Sequence, residues 1–97
     1  MIHCTNLYRF PQPAQLAEKL AKYTGPGKFF FCNSGAEANE GALKIAEKYQ
    51  GKEKDKIIYA DISYHGKTHA TLAITGIESS KHLFKTIDGC YEIPYGD

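Results

Sequence analysis

The sequence predicts an α/β layered fold with parallel strands and right-handed crossovers. Segments with apolar residues at helical spacing alternate with short apolar runs. The breaks between them carry Gly, Pro or polar turn signals. At least one of the runs lacks the in–out alternation of a half-exposed sheet, as expected of a strand covered on both faces.

Residues 1–12 show no clear period and end in Pro11-Gln12-Pro13, which reads as an extended entry segment. Residues 13–97 read as part of one larger domain. Pro13 suits the first turn of a helix, where a missing N–H costs nothing. Leu16, Ala17, Leu20, Ala21 and Tyr23 follow at helical spacing, and Gly25-Pro26-Gly27 stops the helix. Phe29-Phe30-Phe31-Cys32 reads as a buried strand, with Cys32 as a small buried hydrophobe. Asn33-Ser34-Gly35 signals a turn, and Ala38, Ala42, Ile45, Ala46 and Tyr49 form the apolar stripe of a second helix that Gly51 ends. Ile57 to Ala60 is a second strand, Ser63 to Gly66 a polar turn, Thr68 to Ile74 a short helix closed by Gly76, and Cys90 to Pro94 a third strand. Three short strands are few for a sheet covered on both faces, and Gly96-Asp97 reads as a helix cap without a helix. Both features suggest an incomplete chain.

Composition narrows the function. The 97 residues carry a net charge of +1, which gives no bulk attraction to nucleic acid or to an anionic membrane. The densest charge run, Lys52 to Lys56, alternates in sign and reads as a solvated loop. Cys4, Cys32 and Cys90 are odd in number and far apart, which argues against a disulfide framework and for a reducing, cytoplasmic setting. No apolar run approaches membrane-spanning length.

The segment richest in chemistry runs from Phe29 to Glu40. A strand leads into a hydroxyl residue, then a glycine, then a helix. The orphan N–H groups at a helix start point outward, and the helix dipole favours negative charge there. Ser34 can add a hydroxyl, and Gly35 and Ala36 can supply backbone N–H groups, which together make a phosphate-sized anion site. Ser34 can equally serve as a plain N-cap, with Glu37 completing a capping box. The two roles are compatible because they draw on the same donors.

Asn33-Ser34-Gly35-Ala36-Glu37-Ala38-Asn39-Glu40 resembles the phosphate-binding motif of the class III aminotransferases, above all the acetylornithine and ornithine types. His3 to Tyr8, Leu16 to Leu20, Ala42 to Ala46, Tyr64-His65-Gly66-Lys67-Thr68, Thr75-Gly76 and Ile93-Pro94-Tyr95 are similar to that group in the same order. The resemblance implies the three-layer α/β/α large domain of the fold-type I transferases, incomplete in this chain, and pyridoxal 5′-phosphate (PLP) as cofactor. Ser34, Gly35 and Ala36 would hold the PLP phosphate, and Tyr64 would stack on its ring in place of the more familiar phenylalanine. A tyrosine at the end of a strand can also be ordinary packing. Lys67 stands where the family often has arginine, which keeps the charge but loses the planar fork. Asn6 and Tyr8 fall in a segment that lies near the substrate pocket and subunit boundary in the family, although a surface or packing role fits each as well.

The resemblance implies an amino transfer from N-acetylornithine to 2-oxoglutarate, in arginine biosynthesis, by a homodimer. Ornithine, succinylornithine and 4-aminobutyrate are rival donors. The family's cofactor-bonding lysine, ring-pairing aspartate and carboxylate-gripping arginine find no matching context in these residues, so the chain offers no catalytic residue and is expected to be inactive alone. A stand-alone module that binds a phosphate-bearing ligand, and the relic of a truncated gene, are the competing readings. His65 and His69 are four apart, but Gly66 replaces the glutamate a zinc-protease motif needs, so no metal site is expected. His65 is instead expected to help fix the loop that presents Tyr64. Gly25-Pro26-Gly27-Lys28 fails as a nucleotide loop because Phe29 follows the lysine.

Overall fold

A computed structural model describes residues 9–96. Cys4, Asn6, Tyr8 and Asp97 lie outside the described residues. The chain divides into two compact units, Met1–Phe31 and Cys32–Asp97.

The first unit carries helix α1, Pro11–Thr24. The helix begins two residues earlier than the sequence predicts. Pro11 opens it, so Pro11 and Gln12 are helical rather than extended, and Pro13 falls within the same first turn. Gly25 ends α1 at φ 88°, a conformation that a side chain would resist, and its N–H caps the Ala21 carbonyl at 2.9 Å.

The predicted strand at 29–32 is not present. Among the described residues the backbone there joins no ladder, and Phe30 is 71% exposed. The Phe29 and Phe31 rings do stack, with centroids 6.4 Å apart and planes 11° off parallel, as side chains two apart on extended backbone can. Cys32 is exposed, not buried, because no neighbouring strand covers it among the described residues.

The second unit contains α2 (Gly35–Gln50), β1 (Ile57–Ala60), α3 (His69–Ala73), α4 (Glu78–Lys81) and β2 (Cys90–Ile93). Strands β1 and β2 pair in parallel, with Ile57 opposite Cys90 and Ala60 opposite Ile93. Parallel strands cannot be joined by a tight turn, and the connection through residues 61–89 carries α3 and α4. The ladder extends at both ends, through Ile57 N–H to the Gly89 carbonyl (2.8 Å) and Asp61 N–H to the Ile93 carbonyl (2.9 Å). Lys81 ties α4 to β1: its Nζ donates to the Tyr59 hydroxyl at 2.9 Å and lies 4.7 Å from that ring's centroid. Burial pushes the Cys90 thiol above its ordinary range, and the nearby Lys81 charge only partly offsets that. Lys52 to Lys56 are all exposed, as a solvated loop should be.

The core is small and sits on α3 and the residues just after it. Thr71, Leu72, Ala73, Ile74 and Thr75 are buried. Burial of Leu72 and Ile74 stabilises by about 1.5–3 kcal/mol each. By contrast Ile45, Ile58, Ile62 and Tyr91 are more than half exposed. A cleft along β1 is lined by Leu43, Ile58, Ile62, Ile74 and Tyr95, so one apolar face of the sheet stands open.

The turn after β1 holds the one described non-glycine residue at positive φ, Ile62 at 58°, with its side chain 82% exposed. A β-branched residue there costs about 1–2 kcal/mol. Asparagine tolerates that conformation, and the exposed side chain contributes little packing. Ile62→Asn is therefore expected to raise the stability of the chain by about 0.5–1 kcal/mol in urea denaturation. A lower midpoint would show that the isoleucine packing outweighs the backbone strain.

Candidate functional site

The first turn of α2 is built as the sequence predicts, with one difference. Ser34 caps the helix from extended backbone (φ −155°, ψ 165°), and its Oγ accepts the Glu37 N–H at 3.2 Å. Glu37 does not return the bond to the cap residue. Its carboxylate accepts the Asn33 N–H at 2.6 Å, one residue earlier, with the Asn33 amide at 3.5 Å. The cap therefore consumes the donors of Asn33 and Glu37. The N–H groups of Gly35 and Ala36 meet no acceptor among the described residues. Ser34 and Gly35 are exposed and Ala36 is half-buried, so these donors lie on open surface. Because Ser34 Oγ is only an acceptor in the cap, its hydroxyl proton is available to a ligand. Two N–H groups and one O–H, at the positive end of a 16-residue helix, suit an anion with several acceptor oxygens.

The loop after β1 comes up against this turn. Gly66 is buried at φ 137°, and a Cβ there would lie 2.7 Å from Ala36 Cβ and 2.7 Å from Thr71 Oγ1. No other residue permits this approach. Asn39, one turn into α2, donates from Nδ2 to the His65 carbonyl at 2.8 Å. The segment Tyr64-His65-Gly66 is thus joined to the first two turns of α2 at two consecutive residues. Tyr64 precedes them, 55% exposed, with no bond to its hydroxyl among the described residues. Glu40 reaches the same region from α2, accepting the Thr68 hydroxyl at 2.5 Å.

His65 is held by three bonds. Its N–H donates to Thr75 Oγ1 (3.1 Å), its carbonyl accepts from Asn39, and its Nδ1 lies 2.9 Å from the Ile74 carbonyl, which requires the proton on Nδ1. Among the described residues no three His, Cys, Asp or Glu side chains converge as metal ligands, and no helix is long and apolar enough to cross a membrane. Ser34, Gly35, Ala36 and the Tyr64 loop are brought together; Asn6 and Tyr8 lie outside the described residues.

Sequence reasoning missed Asn39 and Thr75. For Asn39 a signal existed: asparagine is a poor residue inside a helix, and its place one turn past the cap implies a bond elsewhere. For Thr75 the only signal was the family likeness of Thr75-Gly76, because by residue type a buried threonine looks like any residue of an apolar run.

The family model described as aminotransferase class-III matches residues 1–97. An acetylornithine aminotransferase of Gloeobacter violaceus is 46% identical over 102 residues, which takes in 100% of this chain and 26% of that protein. The acetylornithine aminotransferase of Bacillus subtilis (strain 168) is 45% identical over 98% of this chain and 24% of its own length. The chain thus spans about a quarter of the length of these curated relatives. Among solved structures, the ω-transaminase of Pseudomonas jessenii in complex with PMP superposes with a TM-score of 0.82 at 30% identity, over 95% of this chain and 22% of that one. The ornithine aminotransferase of Toxoplasma gondii ME49 superposes equally well, at 0.82, with 24% identity over 97% of this chain and 24% of that one, a likeness of fold alone. The helices and the parallel strand pair are part of the α/β fold of the fold-type I transferases. With the family match running the whole length of the sequence, the chain belongs to the class III aminotransferases.

Proposed function

We propose that this chain is the part of a PLP-dependent acetylornithine aminotransferase that grips the cofactor's phosphate and lies against its ring. The observation that carries the reading is the open pair of N–H groups at Gly35 and Ala36, with the Tyr64 loop seated on the same turn of α2 through Gly66. Ser34, Gly35 and Ala36 would donate to the phosphate, and Tyr64 would offer a flat apolar face to the ring. The residues present fit that group, because the cap leaves free the donors a phosphate needs and satisfies the rest internally. When bound, PLP supplies a reactive carbonyl and an electron-withdrawing ring through which an amino group can be passed. The chain's own residues contribute binding and orientation. The covalent lysine, the ring aspartate and the carboxylate-binding arginine would come from elsewhere in the complete protein. That protein would act as a cytoplasmic homodimer, taking the amino group from N-acetylornithine to 2-oxoglutarate. The names of the relatives at 42–46% identity support this donor over ornithine, succinylornithine or 4-aminobutyrate.

A proline scan of the cradle tests the binding claim. Gly35 is the first residue of α2, where proline is welcome, and Ser34 before it is already extended, as the residue before a proline must be. A Cβ at Gly35 would meet nothing within 4 Å. Gly35→Pro therefore deletes one donor and leaves the helix in place. The probe is 4-deoxypyridoxine 5′-phosphate, which has the phosphate and ring but no aldehyde to react with lysines. Its affinity for the complete protein freed of PLP is expected to fall about tenfold while the free energy of unfolding holds within about 1 kcal/mol. Undiminished affinity would place the phosphate elsewhere. Relative rates of the full-length enzyme on N-acetylornithine and its three rivals decide the donor.

A further inference from the structure

From the bonds around His65 we infer that Thr75 and Asn39 are positioning residues for the Tyr64 ring, acting through the backbone of His65 without touching the ligand. The inference rests on the cofactor reading above and assigns work to two residues outside the cradle.

The problem is mechanical. Tyr64 is 55% exposed and its hydroxyl has no partner among the described residues, so no hydrogen bond at the ring end fixes its direction. Its direction is set from the backbone side. The next residue is clamped from opposite directions: Asn39 on α2 takes the His65 carbonyl at 2.8 Å, and Thr75, after α3, takes the His65 N–H at 3.1 Å. Thr75 is fully buried, and its hydroxyl proton goes to the Thr71 carbonyl at 2.8 Å, which turns an oxygen lone pair toward His65. The Gly66 carbonyl lies 3.4 Å from the same hydroxyl. The buried hydroxyl thus sets the orientation of the Tyr64–His65 peptide group. Asn39 holds the same segment to the helix that carries Gly35 and Ala36, so the ring and the anion donors share one frame.

The two ligand contacts separate in an experiment. Inorganic phosphate reads the cradle alone, and 4-deoxypyridoxine 5′-phosphate reads cradle and ring together. Both are titrated calorimetrically into the complete protein freed of PLP, with each variant made in that background. Thr75→Val removes the acceptor for His65, and Thr75→Ser keeps it. The wild-type chain is expected to bind the ring-bearing probe more tightly than inorganic phosphate. Thr75→Val should lower affinity for the ring-bearing probe about tenfold while inorganic phosphate changes by less than about twofold. Thr75→Ser should restore the wild-type value. Asn39→Ala, at a half-buried helical position, provides the same test where loss of the buried hydroxyl unfolds the chain, and the same selective loss is expected. Equal loss of both ligands in these variants would mean that the residues only support the fold, and would overturn the inference. So would no loss in either. A wild-type chain that binds both probes equally has no ring contact, which sinks the inference but spares the cradle; one that binds neither sinks both.

Discussion

Gly66→Ala is expected to destabilise the chain by about 2–4 kcal/mol and to abolish tight binding of the ring-bearing probe. Two costs add. The backbone at Gly66 has φ 137°, outside the regions open to residues with a Cβ. The added methyl would also fall 2.7 Å from Ala36 Cβ and 3.1 Å from Ala36 Cα, at the helix turn that carries the anion donors. Thr71 Oγ1, the third neighbour at 2.7 Å, belongs to a fully buried side chain and has no free space to swing into. Relief must come from moving the loop off α2, which breaks the Asn39–His65 bond and carries Tyr64 away. Urea denaturation followed by helical circular dichroism measures the first effect and the probe titration the second. A variant with wild-type stability and binding would show that the loop does not sit on the helix in solution.

The contrast between what was and was not legible in the sequence follows from the range of each interaction. The caps were legible because they are local: Ser34 with Glu37, Gly25 and Gly51 act within four or five residues of one another, and the sequence carries both partners. Even there, the Glu37 carboxylate chose Asn33 over Ser34, a difference of one residue that residue type cannot decide. The parallel pairing of β1 with β2 followed from the alternation of elements, and its register did not. The run Phe29 to Cys32 shows the limit most clearly. Its composition says strand, but a strand exists only by pairing, and the pairing partner is not a property of the run. Of the candidate site, the cradle was readable as a pattern of donors at a helix start. The clamp on His65 was not, because its parts come from residues 39, 65 and 75 and meet only through the fold.

Gly76→Ala is expected to cost about 3 kcal/mol or more and to remove the cooperative unfolding transition. A Cβ at Gly76 would lie 2.6 Å from the Ala60 carbonyl oxygen, 2.6 Å from the Ile62 nitrogen and 2.8 Å from the Asp61 carbonyl carbon. All three are backbone atoms, so no rotamer change can make room. Nor can Gly76 retreat, because it is bonded on both sides: its N–H donates to the Ser63 carbonyl at 2.8 Å and its carbonyl accepts the Ile62 N–H at 3.1 Å. The turn it presses on already holds Ile62 in a strained conformation, and leads from β1 into the Tyr64 loop. The five buried residues 71–75 end at this glycine, so displacing it opens the core at its edge. Gly27→Ala is the matched control, since a Cβ there meets nothing within 4 Å, and its free energy of unfolding should stay within about 0.5 kcal/mol of wild type. If both variants unfolded at the wild-type midpoint, the close approach of Gly76 to the β1 turn would not exist in solution, and the loop that orients Tyr64 would lose its support from below.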